Sequence, residues 1–355
     1  MIKFSPTSNS KISSLDFNNI PFGQVFSDHI FMVDYKDGNW INPRIEELKP
    51  IPVHPGNLAW HYGQSIFEGM KATKDKNGNP MLFRPEMHIE RLNASAERMC
   101  MPAFPTDLFI EAVNQIVDIE KDWIPPAKGS ALYLRPIMVA MDEALGVRAS
   151  GEYLFMIMTL PVGPYYPKPV SLITEQKYVR AAHGGVGEAK TAGNYAASLK
   201  PAQKAKELGY DQVMWLDAQE FKYVQEVGTM NIFFVIDGEI ITPSTEGTIL
   251  KGITRNSAIT MLRDAGHTVT ERNIDIQEIV DAYQAGTLTE TFGTGTAAVV
   301  SKVQKISHNG VELNLDQSKT VIADKVKGLI DGLRYGDVED KWGWVVPVKG
   351  VSVEA

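Results

Sequence analysis

Alternating apolar and polar positions run through much of this chain and are punctuated by short turn signals. Asp37-Gly38, Asn77-Gly78, Asp237-Gly238 and Asn309-Gly310 each lie between strand-like runs, the arrangement that specifies a β-hairpin. Repeated hairpins imply sheets with much antiparallel pairing and speak against a doubly wound nucleotide fold. A strand is expected over 210–217, and within 224–235 Glu226 stands just before a second, strongly apolar strand. In Ala131-Leu132-Tyr133-Leu134-Arg135, strand alternation puts Tyr133 and Arg135 on one face.

Helical periodicity is scarcer. Residues 86–100 carry Ile89, Leu92, Ala96 and Met99 on one stripe and Arg91, Ser95 and Arg98 on another. Residues 196–208 repeat the pattern with Leu199, Ala202, Ala205 and Leu208, stopping at Gly209. Thr254 reads as the N-cap of a helix that holds Ile259 and Leu262 and ends at Gly266. Four prolines between 161 and 169 are expected to lie outside any sheet or helix and to stiffen a connector. The expected fold class is α+β, a mixed α/β architecture with largely antiparallel sheets and flanking helices. Its expected domains are an N-terminal α/β domain over 1–160, a Pro-rich connector over 161–170 and a C-terminal domain over 171–355.

Length and composition agree with this division. At 355 residues the chain exceeds the usual limit of one core, and 44% hydrophobic with 22% charged residues is ordinary globular material. A formal charge of −8 without a basic stripe argues against nucleic acid as a partner. No apolar run approaches a membrane span, and the first residues lack the pattern of a signal or transit peptide. Cys100, the single cysteine, reads as buried packing and rules out an intrachain disulfide. A reducing, cytoplasmic setting is expected. The seven histidines show no H-x-x-x-H spacing, so no metal site is expected.

The candidate chemistry centres on Lys190, in Gly187-Glu188-Ala189-Lys190-Thr191-Ala192-Gly193-Asn194-Tyr195. A solvated ammonium gains nothing from small residues and glycines. A lysine that must lose its proton and attack a carbonyl needs restricted solvent and close backbone approach. Three readings follow: a Gly-rich surface loop, a phosphate loop of an ATP-using enzyme, or a lysine that carries pyridoxal phosphate. The phosphate-loop pattern is broken at Ala189, and no apolar strand runs directly into Gly184. Downstream, Gly252-Ile253-Thr254 at a helix start offers backbone N–H groups and the favourable end of a dipole to a phosphate. Thr296 offers a hydroxyl and backbone donors.

Seven segments follow one another in order. They are Phe67-Glu68-Gly69-Met70-Lys71-Ala72, Leu82-Phe83-Arg84-Pro85, Tyr133-Leu134-Arg135-Pro136, the Lys190 stretch, Glu226-Val227-Gly228-Thr229-Met230-Asn231, Leu250-Lys251-Gly252-Ile253-Thr254-Arg255, and Phe292-Gly293-Thr294-Gly295-Thr296-Ala297. Together they resemble the fold-type IV pyridoxal-phosphate enzymes, most closely the branched-chain amino-acid aminotransferases, over roughly residues 20 to 345.

The resemblance implies pyridoxal 5′-phosphate as cofactor and transamination of L-leucine, L-isoleucine and L-valine with 2-oxoglutarate by a ping-pong route. It implies a homodimer, small-molecule substrates, and no nucleic-acid or membrane partner. Lys190 would carry the cofactor and move the α-proton. Glu226 would face the pyridine nitrogen, with the Thr229 segment following it, and Tyr195 the phenolic oxygen. Arg91 is assigned to the phosphate together with Ile253, Thr254 and Thr296, although Arg98 is nearly as good on sequence alone. Arg135 would take the glutamate side-chain carboxylate, and backbone N–H groups at Thr296 and Ala297 the α-carboxylate. Phe22, Tyr62, Phe67, Tyr133 and Tyr165 would line the pocket, although an aromatic taken singly is more often core than pocket. D-amino-acid aminotransferases and aminodeoxychorismate lyases share the lysine and glutamate and stand as alternatives. Mammalian members carry a C-x-x-C pair where this chain has Ala297-Ala298-Val299-Val300-Ser301, so thiol regulation of that type is excluded.

Overall fold

Three of the four turn signals close two-residue hairpins in a computed structural model, which describes residues 1–163 and 168–350. Asp37-Gly38, Asp237-Gly238 and Asn309-Gly310 all have positive φ at both positions, the conformation that suits Asp or Asn followed by Gly. At Asn77-Gly78 the loop is longer, and the Asp75 carboxylate accepts the N–H groups of Asn77 and Asn79, both at 2.8 Å.

The described residues form two units. The first contains β1 (Lys3–Phe4), β2 (His29–Lys36), β3 (Asn39–Glu47), β4 (Ser65–Phe67), β5 (Met70–Lys74), β6 (Pro80–Phe83), β7 (Ala131–Ala140) and β8 (Tyr153–Val162). They form one sheet in the order β1-β3-β2-β8-β7-β5-β6, closed at the β6 edge by the strand Val345–Pro347; β4 also pairs with β7. Helices α1 (Leu58–Tyr62), α2 (Pro85–Arg98) and α3 (Thr106–Ile119) belong here. Leu92 and Ala96 of α2 and Phe109, Val113 and Ile116 of α3 share one buried cluster with Phe31, Leu132 and Phe155 of the strands. Residues 189–192 also belong to this unit: Thr191 bridges Ile66, and Phe67 N–H donates to the Lys190 carbonyl at 3.0 Å.

The second unit contains β9 (Val170–Glu175), β10 (Gln212–Leu216), β11 (Val224–Val227), β12 (Asn231–Ile236), β13 (Glu239–Thr242), β14 (Val269–Glu271), β15 (Leu288–Gly295), β16 (Val299–His308) and β17 (Val311–Asn314). The order is β11-β10-β9-β16-β15-β12-β13-β14, with β17 on β16. Helices α4 (Ala192–Ala197), α5 (Leu199–Glu207), α6 (Ile253–Asp264), α7 (Ile276–Gln284) and α8 (Ile322–Arg334) follow in the chain. Four ladders are parallel, β1–β3, β9–β10, β9–β16 and β13–β14; the others are antiparallel. This is the mixed, largely antiparallel α/β class expected.

Several local expectations need correction. Pro161 lies within β8, opposite Leu132. The β2–β8 register ends at Met158, so near Pro161 the strand is paired on the β7 side alone and tolerates a residue without an N–H. The stripe assigned to 196–208 is not a buried face: Leu199 is 68% and Leu208 55% exposed, and only Pro201 and Ala205 of α5 are buried. Helix α6 begins two residues earlier than expected, with Gly252 rather than Thr254 at the N-cap. Cys100 is exposed, on a left-handed backbone just past α2. Residues 189–192 and the strand Val345–Pro347 also join the first sheet by backbone pairing.

Candidate active site

In the first unit, β4 and β7 present a connected group of side chains. The backbone of Lys190 is held from two sides, by its carbonyl on Phe67 N–H and by its own N–H, which donates to Ser95 Oγ at 2.9 Å. Lys190 Nζ then lies 4.9 Å from the centre of the Phe67 ring. The Arg135 guanidinium carbon lies 4.7 Å from the same ring, and Arg135 Nη2 donates to Tyr133 Oη at 3.2 Å. Tyr133 and Arg135 therefore do share a face of β7. Tyr133 Oη lies over Gly69, where an added Cβ would come within 1.9 Å of it; any other residue at 69 would displace the tyrosine. Phe22 meets Tyr133 edge-on at 6.0 Å. Arg135 has no ion-pair partner among the described residues, and its Nε is buried without a hydrogen bond. Tyr62, at the end of α1, accepts the Gly146 N–H at 2.9 Å and remains exposed. Tyr165 lies outside the described residues.

Arg91 is held by a residue that sequence reasoning did not single out. Glu68 is fully buried and accepts Arg91 Nε and Nη2 at 2.7 and 2.8 Å, while His88 Nδ1 lies 2.7 Å from its second oxygen. Burial raises the carboxyl, but the Arg91 charge and the hydrogen bonds from Arg91 and His88 outweigh it and hold Glu68 well below the usual carboxylate range. Burial lowers His88, against the pull of Glu68.

In the second unit, Glu226 is 3% exposed and lies on β11. Its Oε1 accepts Asn231 Nδ2 at 2.9 Å and Leu250 N–H at 3.1 Å, and its Oε2 pairs with Arg180 Nε at 2.5 Å. Asn231 links this group to its surroundings. Its Nδ2 also donates to the Leu250 carbonyl at 3.0 Å, and its backbone is opposite Thr294 in the β12–β15 ladder. A Cβ at Gly252 would fall 1.9 Å from Asn231 Oδ1, so the start of α6 sits directly against it. Ile253 and Thr254 are buried in the first turn of α6, which no side chain caps. Thr296 and Ala297 follow β15, half-buried. Thr229 is exposed, and Tyr195 is half-buried on α4.

The chain resembles known proteins over most of its length. The family model for class IV amino-transferases matches residues 65–306. Branched-chain-amino-acid transaminase 1 of Bacillus subtilis is 48% identical over 339 residues, covering 94% of this chain and 95% of that protein. The chain belongs to the branched-chain amino-acid aminotransferase family. A Mycolicibacterium smegmatis member is 41% identical, with 92% of each chain covered. Among solved structures, the Escherichia coli branched-chain aminotransferase matches with a TM-score of 0.74 at 26% identity, covering 91% of this chain and 99% of that one. A T.th. branched-chain aminotransferase in complex with N-(5′-phosphopyridoxyl)-L-glutamate matches with the same score and identity, covering 92% of this chain and all of that one. The phosphate-loop reading of 184–191 falls with this membership. Strand β9 ends at Glu175, well before Gly184.

The aminotransferase's residues fit a phosphorylated pyridine aldehyde. The uncapped, buried first turn of α6 leaves N–H donors for an anion. Thr294 Oγ1 is buried without a hydrogen-bond partner, close in the chain to Thr296. Glu226 is a buried carboxylate, and Lys190 supplies a primary amine on a fixed backbone. Three further residues were missed from sequence: Glu68, Arg180 and Asn231. Two of them carried a signal: Glu68 as the middle residue of the Phe67-Glu68-Gly69 segment, and Asn231 as the last of Glu226-Val227-Gly228-Thr229-Met230-Asn231. Arg180 acts chiefly through Glu226 and Thr248, which lie far from it in sequence.

Proposed function

We infer that this protein transfers the amino group of L-leucine, L-isoleucine or L-valine to 2-oxoglutarate, giving the branched-chain 2-oxo acids and L-glutamate, with pyridoxal 5′-phosphate as cofactor. The observation that carries this reading is the arrangement about Phe67, whose ring is shared by a backbone-anchored lysine amine and an arginine without a carboxylate partner among the described residues. When bound, the cofactor supplies the electron sink that stabilises negative charge at the substrate α-carbon.

The chain's residues divide the remaining work. Lys190 carries the cofactor and, when its amine is free, moves the proton at the substrate α-carbon. Glu226 holds a proton on the ring nitrogen, and Tyr195 donates to the phenolic oxygen. Arg91, Thr296 and the N–H groups of Ile253 and Thr254 bind the phosphate, and Thr229 is assigned to the cofactor on the family resemblance. Arg135 receives the side-chain carboxylate of glutamate, for which a planar guanidinium is suited. Tyr133, Phe67, Phe22 and Tyr62 give aliphatic side chains an apolar wall, worth about 1.5–3 kcal/mol per buried side chain. Tyr165 is assigned to the same wall on the family resemblance. Backbone N–H groups at Thr296 and Ala297 take the α-carboxylate.

A homodimer is part of this reading. Trp60, Tyr62, Leu145 and Val147 are exposed large apolar side chains, and Tyr62 ties the 145–147 loop to α1, so exposed apolar side chains are available to a second copy. We assign the protein to the cytoplasm on its single cysteine; no helix among the described residues is long and apolar enough to cross a membrane. A panel of L-leucine, L-valine, D-alanine and L-glutamate as amino donors tests the function. Turnover of D-alanine in place of the branched-chain L-amino acids would overturn it. Fully active monomers at nanomolar enzyme would overturn the dimer.

A further inference from the structure

We propose that Arg180 is a positioning residue that fixes three cofactor contacts at once: the glutamate at the ring nitrogen, the stretch that leads into Lys190, and the stretch that leads into the phosphate-binding start of α6. The proposal rests on the reading of function given above. Arg180 spends one edge of its guanidinium on Glu226, Nε to Oε2 at 2.5 Å. Its terminal nitrogens turn the other way. Nη1 donates to the Thr248 carbonyl at 2.7 Å and to the Gly187 carbonyl at 3.3 Å, and Nη2 donates to Gly187 at 3.2 Å. The side chain is 12% exposed and that of Glu226 4%.

Each of the three partners leads to one of the assigned contacts. Gly187 precedes Lys190 by three residues, and Thr248 precedes the Gly252-Ile253-Thr254 turn by four. The Gly187 and Thr248 stretches touch: a Cβ on Gly187 would lie 2.4 Å from the Thr248 carbonyl oxygen and 2.5 Å from Ala181 Cβ. Two carbonyls brought so close need a shared donor, and a guanidinium supplies it with donors to spare for a carboxylate. A buried carboxylate keeps its charge and orientation only with such partners. Leu250 N–H and Asn231 hold Oε1 from one side, and Arg180 holds Oε2 from the other. An ammonium at this position has neither the reach nor the plane to serve all three partners.

The test compares wild type, Arg180→Met and Arg180→Lys. Each is stripped of cofactor and titrated with pyridoxal phosphate, with binding followed by tryptophan-fluorescence quenching and the bound state by visible circular dichroism. Arg180→Met is expected to weaken binding by about tenfold or more and to alter the dichroism of the bound cofactor. Arg180→Lys should recover part of the affinity but not the wild-type spectrum. Combining Arg180→Met with Glu226→Gln should cost less than the sum of the two single changes, because the residues act as a unit. Wild-type affinity and spectrum in a folded Arg180→Met, even with a lowered melting temperature, would overturn the proposal and leave Arg180 a structural residue. Should Arg180→Met not fold, Arg180→Lys and Gly187→Ala carry the same test, and wild-type binding by both overturns it. A wild-type protein that binds no pyridoxal phosphate would instead defeat the reading of function itself.

Discussion

Glu68 grips Arg91 through two parallel hydrogen bonds, Nε to Oε1 at 2.7 Å and Nη2 to Oε2 at 2.8 Å, inside a site where the carboxylate has no exposure to solvent. The pair orients the guanidinium assigned to the cofactor phosphate. Removing one partner of a buried pair leaves the other charge uncompensated, at a cost of about 3–5 kcal/mol. Glu68→Gln, which keeps the shape and loses the charge, should lower the melting temperature of the cofactor-free protein and weaken cofactor retention. Calorimetry and a pyridoxal-phosphate titration check both effects.

The same cluster makes stability depend on acid. His88 is buried beside Glu68, and burial holds its folded-state ring below the ordinary value of 6.5. Below that value the unfolded chain takes up a proton that the folded chain does not, so His88 contributes its full stability above pH 6.5 and loses it as pH falls. Glu68 adds a loss of the same sign below its unfolded value of 4.5. Melting temperatures between pH 7 and about pH 5 should fall less steeply in His88→Asn than in wild type. Equal slopes would show that His88 is not the titrating group.

Lys190 should be the residue that carries the cofactor. Borohydride reduction followed by peptide mapping is expected to place the pyridoxyl label there. A label on Lys71 or Lys200 would sink the assignment. Lys190→Ala should lose transamination by several orders of magnitude while retaining its fold, since the Lys190 backbone groups that meet Phe67 and Ser95 survive the change.

Arg135 should separate the two half-reactions. Its Nε is buried and unpartnered, whereas leucine needs only the apolar walls. In single-turnover measurements Arg135→Gln should depress the glutamate half-reaction far more than the leucine half-reaction, and Arg135→Lys should rescue only part of the loss. Equal losses in both would make Arg135 structural.

Glu290 supplies a stability prediction apart from the chemistry. This buried carboxylate on β15 accepts the N–H groups of Val321, Ile322 and Ala323, capping the start of α8 at 2.7–3.1 Å. Glu290→Ala leaves those donors unsatisfied and should destabilise the protein by about 1–3 kcal/mol, with cofactor affinity unchanged. Denaturant titration measures the first and fluorescence quenching the second.

What could be read from the sequence was what local chemistry decides. Asp-Gly and Asn-Gly pairs fix their turns because few other residues take positive φ twice in succession, and α2 announces itself through Ile89, Leu92 and Ala96. Helices α3, α7 and α8 have apolar faces just as regular but were not singled out. The Leu199 and Leu208 stripe failed for the opposite reason: periodicity reports an apolar face, not whether anything in the same chain covers it. At the site, Lys190 and Glu226 were visible through their neighbours in sequence. Arg180 was not, because what matters about it is which distant carbonyl or carboxylate it meets.

The first sheet draws on residues far apart in the order of synthesis. Its β6 edge is covered by Val345–Pro347, and β4 is bridged by Thr191. A nascent chain emerging from the ribosome therefore exposes β6 as a bare strand edge until more than 250 further residues have been made, and such edges invite pairing with other chains. The protein is thus a candidate for chaperone protection during translation, and shortening it before Val345 should harm its yield in cells more than its chemistry.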